Sequence, residues 1–277
     1  GIVLLIFTIM HLVPGDPARM ILGVTATPEE IEALRHKLGL DQSFFVQLAN
    51  YISGLFFHFD MGNSYVTGVS ITQDVLSRLP RTFGVGMISM LVSFVLGILL
   101  GILAGTHQNR WQDRMCMIIA LVGVSMPAFW LALMLVLLFA VKLQWLPAGG
   151  MGSLKYYILP ALASSFGGIA GIARQTRSSV LEVIRADYVT TARSKGLKEK
   201  EVVLKHILPN ALIPIITVAG ASFAGVFGGS IIIETVFSIN GIGLYMMSGI
   251  TSRDYPVVQG CVVILGIIFS LCMLLVD

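Results

Sequence analysis

Residues 186–210 read ADYVTTARSKGLKEKEVVLKHILPN, a polar, basic stretch set between two of the most apolar segments of the chain. It holds Arg193, Lys195, Lys198, Lys200 and Lys205, and Arg174, Arg177 and Arg185 come just before it. Loops rich in Lys and Arg between apolar spans stay on the cytoplasmic side of a bilayer, so this stretch is expected inside the cell. It also carries local structural signals. Asp187 stands where a cap is expected for a short helix, Tyr188–Lys195, and Gly196 supplies a left-handed stop. A second helix is expected from about Lys198 to Leu208, where Pro209 breaks it. On the first helix Tyr188, Val189 and Ala192 fall on one face, with Thr191, Ser194 and Lys195 largely on the other. An apolar-faced helix kept in water is expected to press against something, so the stretch reads as a docking knob.

The surroundings of this loop define a membrane protein. Of 277 residues, 56% are apolar and 12% charged, against about 25% charged in soluble domains, and the mean hydropathy is +0.86. The net charge of +3 says less than its distribution. Apolar runs lie close to Phe83–Gly105, Met115–Val141, Ile158–Ala173, Leu212–Ile233 and Val257–Val276. The first run, 1–13, is shorter than the roughly 20 residues a spanning helix needs and is read as the second half of a first span. The expectation is therefore an all-α integral membrane protein with six spans, the first truncated, and an extracytoplasmic helical insertion at 14–81. The membrane domain, 82–277, contains the cytoplasmic loop 174–211. Excluding the long first loop, one set of short loops holds ten Lys/Arg and the other holds Lys142, Lys155 and Arg253. That asymmetry puts both chain ends in the cytoplasm.

The insertion has seven acidic and five basic residues and is expected outside. Thr27-Pro28-Glu29-Glu30 has the layout of a capping box, giving a helix to Leu38 that stops at Gly39. Asp41 is expected to cap a helix from Gln42 to about Phe57 with Phe45, Leu48, Ala49 and Ile52 on one face. A turn at 60–63 and a helix Ile71–Leu79 follow. The insertion reads as a cap over a transport path, a docking surface for a solute-binding protein, or a structural lid.

Small residues pepper the spans: Gly97 and Gly101, Gly167 and Gly171, and Ala224, Gly225, Gly228 and Gly229. They allow close helix approach or line a path that opens and shuts. Ion-coupled carriers usually need a titratable group inside the membrane, yet Glu234 and Asp113 fall only at span ends. No phosphate-binding loop of the form GxxxxGK[ST] occurs, so energy must come from a partner. His11, His36, His58, His107 and His206 lack metal spacing, and Cys116, Cys261 and Cys272 sit in or at the edge of apolar runs, where packing is the expected role. No catalytic or metal site is assigned. Weak candidates for a path are Ser125, Met126, Phe129 and Trp130, with Phe223, Phe227 and Ser230. In the last external loop Asn240-Gly241 with Gly243 reads as a turn before a short re-entrant helix, Leu244–Ile250, which includes Tyr245.

Ala192, Gly196 and Leu208-Pro209 are spaced as in the cytoplasmic loop of bacterial ABC importer permeases, with Thr190-Thr191 in place of that family's Glu-Ala and His206 in place of its Ile. TARSKG at 191–196 is similar to the form in the peptide and nickel branch. So are LVPGDPA at 12–18, LGLDQ at 38–42, GVSMPAFWLALML at 123–135, LQWLPAGG at 143–150, GGSIIIETVFSINGIG at 228–243 and RDYPVVQ at 253–259. The resemblance implies a non-enzymatic permease subunit of the bacterial inner membrane. Its implied partners are a second permease, two ABC ATPases that hold ATP and Mg, and an extracytoplasmic solute-binding protein. No nucleic acid is implied, and no cofactor is expected on this chain. It further implies a coupling contact by Asp187, Tyr188, Thr191, Ala192, Arg193, Gly196, Leu208 and Pro209, and an external gate at Asn240, Gly241, Gly243 and Tyr245. Di- or oligopeptides are the first expected substrate, nickel or a metal chelate the second. A self-contained channel or carrier would work alone, and a scaffold would show no flux; neither gives the knob its transport role.

Overall fold

The computed structural model describes residues 1–12, 15–23 and 26–276. Val13 and Pro14, where the expected first span meets the insertion and part of LVPGDPA falls, lie outside the described residues, as do Val24, Thr25 and Asp277. Regular structure in the described residues is helical apart from an isolated antiparallel bridge, Asn63 to Ser70. The order is α1 (Ile2–Leu12), α2 (Pro17–Leu22), α3 (Pro28–Lys37), α4 (Phe44–Phe57), α5 (Ile71–Thr106), α6 (Trp111–Ser125) and α7 (Ala128–Leu135). A π-helical continuation, Val136–Lys142, follows α7; then come α8 (Lys155–Val183), α9 (Asp187–Ser194), α10 (Glu199–Val202), a π-helical turn Val203–Ile207, α11 (Leu208–Val236), α12 (Ile242–Thr251) and α13 (Tyr255–Val276). The chain divides into two compact units, Gly1–Thr82 with Ile239–Ile267, and Phe83–Ser238 with Ile268–Asp277.

In the first unit the capping box forms as its sequence predicts. Glu30 N–H donates to Thr27 Oγ1 and Thr27 N–H to the Glu30 carboxylate, and Gly39 takes φ +68° after the helix. Asp41, however, does not cap α4: Ser43 occupies that position, without a side-chain bond. The inward face of α4 is also rotated from the expected one. Phe44, Leu48, Tyr51 and Leu55 turn inward, while Phe45 is 78% exposed. An almost wholly apolar helix has no polar face to fix its rotation, so contacts decide it. The core gathers Ile6, Leu55, Met61, Ile71, Val75, Ile242, Val257 and Cys261. Buried Asp254 accepts from Ser64 Oγ and from the N–H groups of Tyr65 and Val66, pinning that loop to the start of α13. Burial and that carboxylate push the Tyr65 hydroxyl up to about 12.

The second unit is built on a seam between α5 and α8. Ser93 Oγ donates to Ser165 O at 3.0 Å, and Gly97, Gly101 and Gly105 meet Ile172, Thr176 and Val180 one turn at a time. A Cβ on Gly101 would fall 2.3 Å from Thr176 Cβ and 2.7 Å from Ala173 O. Missing side chains thus set the helix separation. At one end of the seam Arg177 donates two bonds to Asp113, at 2.6 and 2.8 Å, and Asn109 N–H adds a third, so this buried carboxylate is fully held.

Four helical runs among the described residues are long and apolar enough to cross a bilayer: α5, α8, Glu199–Val236 and α13. The expected single span Met115–Val141 is instead two helices bent by 101°, because Pro127 caps α7 with extended backbone. Counted as one, the pair makes five spans, and α1, at 11 residues, is too short to be counted on its own. The expected helix Ile71–Leu79 and the span after it are one 36-residue helix with Pro80 inside. Pro209 likewise does not break its helix. The π-helical turn before it, in which Leu208 N–H reaches Val203 O, absorbs the misfit and Glu199–Val236 runs on.

Gly101→Ala is expected to destabilise the chain by about 1–3 kcal/mol through overpacking against backbone as well as side chain. Gly228→Ala, whose Cβ would meet nothing within 4 Å, is expected to be near neutral. Thermal unfolding of the two detergent-solubilised variants separates them.

Candidate functional site

The 186–210 loop is anchored from its apolar side. Val189 and Ala192, 0% and 4% exposed, pack with Val180, Val202, Ile207, Ala211 and Ile215, so α9 is glued to its own bundle. The apolar face expected to await a partner is therefore already used. Ala192 positions the helix and is not open to contact, and Tyr188, expected on that face, points away and is 45% exposed. Tyr188, Thr191, Ser194 and Lys195 form the outer surface. Asp187 is not the cap: extended Ala186 is, and Asp187 sits in the first turn, where its charge suits the helix dipole. Its carbonyl accepts from Thr191 Oγ1 at 2.9 Å.

The elbow after α9 follows the sequence reading. Gly196 N–H donates to Arg193 O at 2.9 Å, and Gly196 has φ +80° with open space around it. Arg193 is strapped across this elbow by two bonds to Glu199, at 3.1 and 2.6 Å. The Arg193 guanidinium holds the Glu199 carboxyl below its ordinary range. The strap is thus whole at neutral pH and is lost only as pH falls through that lowered value. Exposed pairs of this kind contribute about 0.2–1 kcal/mol, so the strap orients more than it stabilises. Glu199 was not singled out by the sequence reading; its charge three residues beyond Gly196 is the only signal. Leu208 is part-buried and Pro209 exposed where α11 begins.

The path candidates divide. Phe129 and Trp130 are 50% and 43% exposed beside the Pro127 bend, Met126 is part-buried, and Ser125, also exposed, donates to Leu121 O. Phe227 and Ser230 are 1% and 6% exposed. Phe227 is clasped by Phe83 and Phe223, with ring centroids at 5.4 and 5.1 Å, and Ser230 donates to Phe227 O, so both are packing residues in this conformation. A groove of about 270 Å³ opens instead between α8 and α11, lined by Ser164, Gly167, Ser222, Gly225 and Gly229 with Ala128 at its rim. Gly167, Gly225 and Gly229 have open space where a Cβ would stand. The serines carried no sequence signal.

In the other unit, the expected gate residues are held by the start of α5. Arg78 donates to the Asn240 side chain and stacks over the Tyr245 ring at 4.4 Å, while Arg81 donates to Asn240 O at 3.1 Å. Ile242 N–H donates to Thr82 Oγ1 at 2.9 Å. Gly241 caps α12, but Gly243 lies inside that helix, not in the turn. Arg78, Arg81 and Thr82 lie some 160 residues away in sequence, and no local pattern marks them.

Residues 97–277 match the family model described as binding-protein-dependent transport system inner membrane component, and residues 2–86 match that of the N-terminal region of such membrane components. The chain belongs to this family. It is a permease subunit of an ABC importer, a transport component and not the catalytic one. A Brucella abortus protein named as a peptide transport system permease is 41% identical over 284 residues, covering 100% of the chain and 90% of that protein. The glutathione transport system permease protein GsiC of Escherichia coli K12 is 41% identical over 273 residues, covering 99% and 89%. Among solved structures, the inward-facing MetNI methionine ABC transporter aligns at TM-score 0.63 and 20% identity over 74% of the chain and 94% of that chain. An amino acid ABC transporter aligns at 0.56 and 15% over 74% and 92%. These two show the shared fold.

Gly196→Val is expected to strain the left-handed elbow by about 1 kcal/mol or more and to uncouple ATP hydrolysis from uptake, whereas Gly196→Asn, tolerant of that conformation, retains coupling. Uptake per ATP hydrolysed in proteoliposomes distinguishes the two.

Proposed function

We propose that the chain, with a second homologous permease, forms the path for di- or oligopeptides delivered by an extracytoplasmic binding protein. Two ABC ATPases holding ATP and Mg engage the 186–210 loop in the cytoplasm, where both chain ends also lie. The observation that carries the coupling role is the two-sidedness of α9: Val189 and Ala192 are buried in the bundle, and Tyr188, Thr191 and Lys195 are left outside. A helix fixed this way moves with the bundle when a partner pushes on its outer face. Closure of the ATPase pair on ATP would then carry α9 and α8 together and reshape the groove between α8 and α11. Arg193 acts by holding the elbow through Glu199, and Gly196 by making the elbow. Asn240, Gly241, Gly243 and Tyr245 serve the external gate, with Arg78 and Arg81 as its latch.

The substrate class follows the relatives, whose names specify peptides and glutathione, and these favour peptide over nickel. The groove fits a weakly held, passing solute. Its walls are small and uncharged, so selection is assigned to the binding protein.

Affinity purification of the tagged chain in mild detergent is expected to recover two ATPases and a second permease with peptide-stimulated ATPase activity. Tyr188→Ala, which removes an exposed aromatic anchor, is expected to weaken ATPase association by ~2 kcal/mol, roughly thirtyfold in affinity. A chain that came out alone and still conducted peptide in liposomes would overturn the reading.

A further inference from the structure

The sequence of α4, FFVQLANYISGLFF, contains no Asp, Glu, Lys or Arg. One stripe of it packs on α1: Phe7 lies edge-on to Phe44 at 5.4 Å and stacks with Tyr51 at 5.7 Å, and the His11 ring shares a hydrogen bond with Gln47 at 3.2 Å. A second stripe, Phe45, Ala49, Ile52 and Phe56, recurs at helical spacing on another side. Phe45 and Phe56 are 78% and 59% exposed. Phe59, 78% exposed, extends the apolar surface past the end of the helix, while Phe57, the last helical residue and 77% exposed, turns to the side of Asn50. On α1 itself Leu4, Leu5 and Leu12 are equally open, so the two packed helices both turn apolar surface outward.

Fourteen residues make a helix of about 21 Å, too short to cross a hydrocarbon core of about 30 Å. Apolar segments of this length are core helices, re-entrant segments or helices at the membrane surface; the open aromatic stripe excludes the core, and a re-entrant segment turns back at membrane depth, which the single unbroken helix α4 does not. Water would not stabilise such a patch. A protein that docks and leaves would return it to water in every cycle, whereas lipid is always there. We propose that α4 lies along the bilayer surface, with Phe45, Ile52 and Phe56 dipped into the hydrocarbon edge. Asn50 and Ser53, on the adjoining side with Phe57, then face the headgroups, and the aromatic rings act as anchors at the interface. The burial stands on the geometry of α1 and α4; only the choice of outer leaflet rests on the topology proposed above.

The test uses the whole transporter in lipid nanodiscs, with Cys116, Cys261 and Cys272 replaced by Ala and a nitroxide placed at Phe45→Cys, Phe56→Cys or Asn50→Cys. Collision with oxygen, which dissolves in lipid, is compared with collision with a water-soluble nickel chelate. Labels at 45 and 56 are expected to favour oxygen severalfold more than the label at 50. Equal access of the chelate to 45 and 50 would place the stripe in water and overturn the proposal. Protection of 45 and 56 from both reagents would mean that protein covers them, and would overturn it equally. Peptide-stimulated ATPase activity of the same preparations reports separately on the importer reading.

Discussion

The second unit depends on the absence of side chains along one line of α5. In lipid, apolar surface gives helices no reason to prefer one another over hydrocarbon, so dispersion contacts and small residues must provide it. Gly97, Gly101 and Gly105 let α8 come so close that Ile172, Thr176 and Val180 fill the space their Cβ atoms would need. The same face of α8 then continues into the cluster that holds Val189, Ala192, Val202 and Ile207. Close approach within the seam and a fixed 186–210 loop are therefore one continuous packing problem. Arg177 and Asp113 close the seam at its polar end; removing Arg177 would leave the buried Asp113 carboxylate without its ion-pair partner, whereas Arg177, whose side chain is more than a quarter exposed, would keep access to water if Asp113 were lost.

This arrangement gives the loop the mechanical character a coupling element needs. α9 is too short to be stable alone, and its order comes from Val189 and Ala192 in the core. The strap from Arg193 to Glu199 crosses the elbow at little energetic gain, fixing direction. Glycines left open at 167, 225 and 229 contrast with those closed at 97, 101 and 105. The first group leaves a groove that can change shape, the second a seam that cannot.

How much of this was legible in the sequence depended on whether the deciding contact was local. The capping box at Thr27 and the left-handed Gly196 were readable because each is settled within a few residues. The family spacing of Ala192, Gly196 and Leu208-Pro209 was readable too. Prolines misled. Pro209 and Pro80 stand in unbroken helices, Pro209 just after a π-helical turn, while Pro127 follows an extended Met126 at a bend. The rotation of α4 and the true facing of Tyr188 were not readable, since an apolar stripe shows which residues share a side but not which side meets protein. The hold of Arg78, Arg81 and Thr82 on Asn240 and Ile242 joins distant segments, and nothing local encodes it.

The π-helical turn at Val203–Ile207 has one more consequence. A π turn seats one extra residue relative to an α turn, so everything beyond it is rotated by about 100° compared with a continuous α-helix. Val202 before the turn, Ile207 at its end, and Ala211 and Ile215 beyond it reach the same core only because of that rotation. The loop and α11 are thus set in phase by a count of residues as well as by their chemistry. A single insertion or deletion between Glu199 and Leu208 would turn the 186–210 loop out of phase with α11.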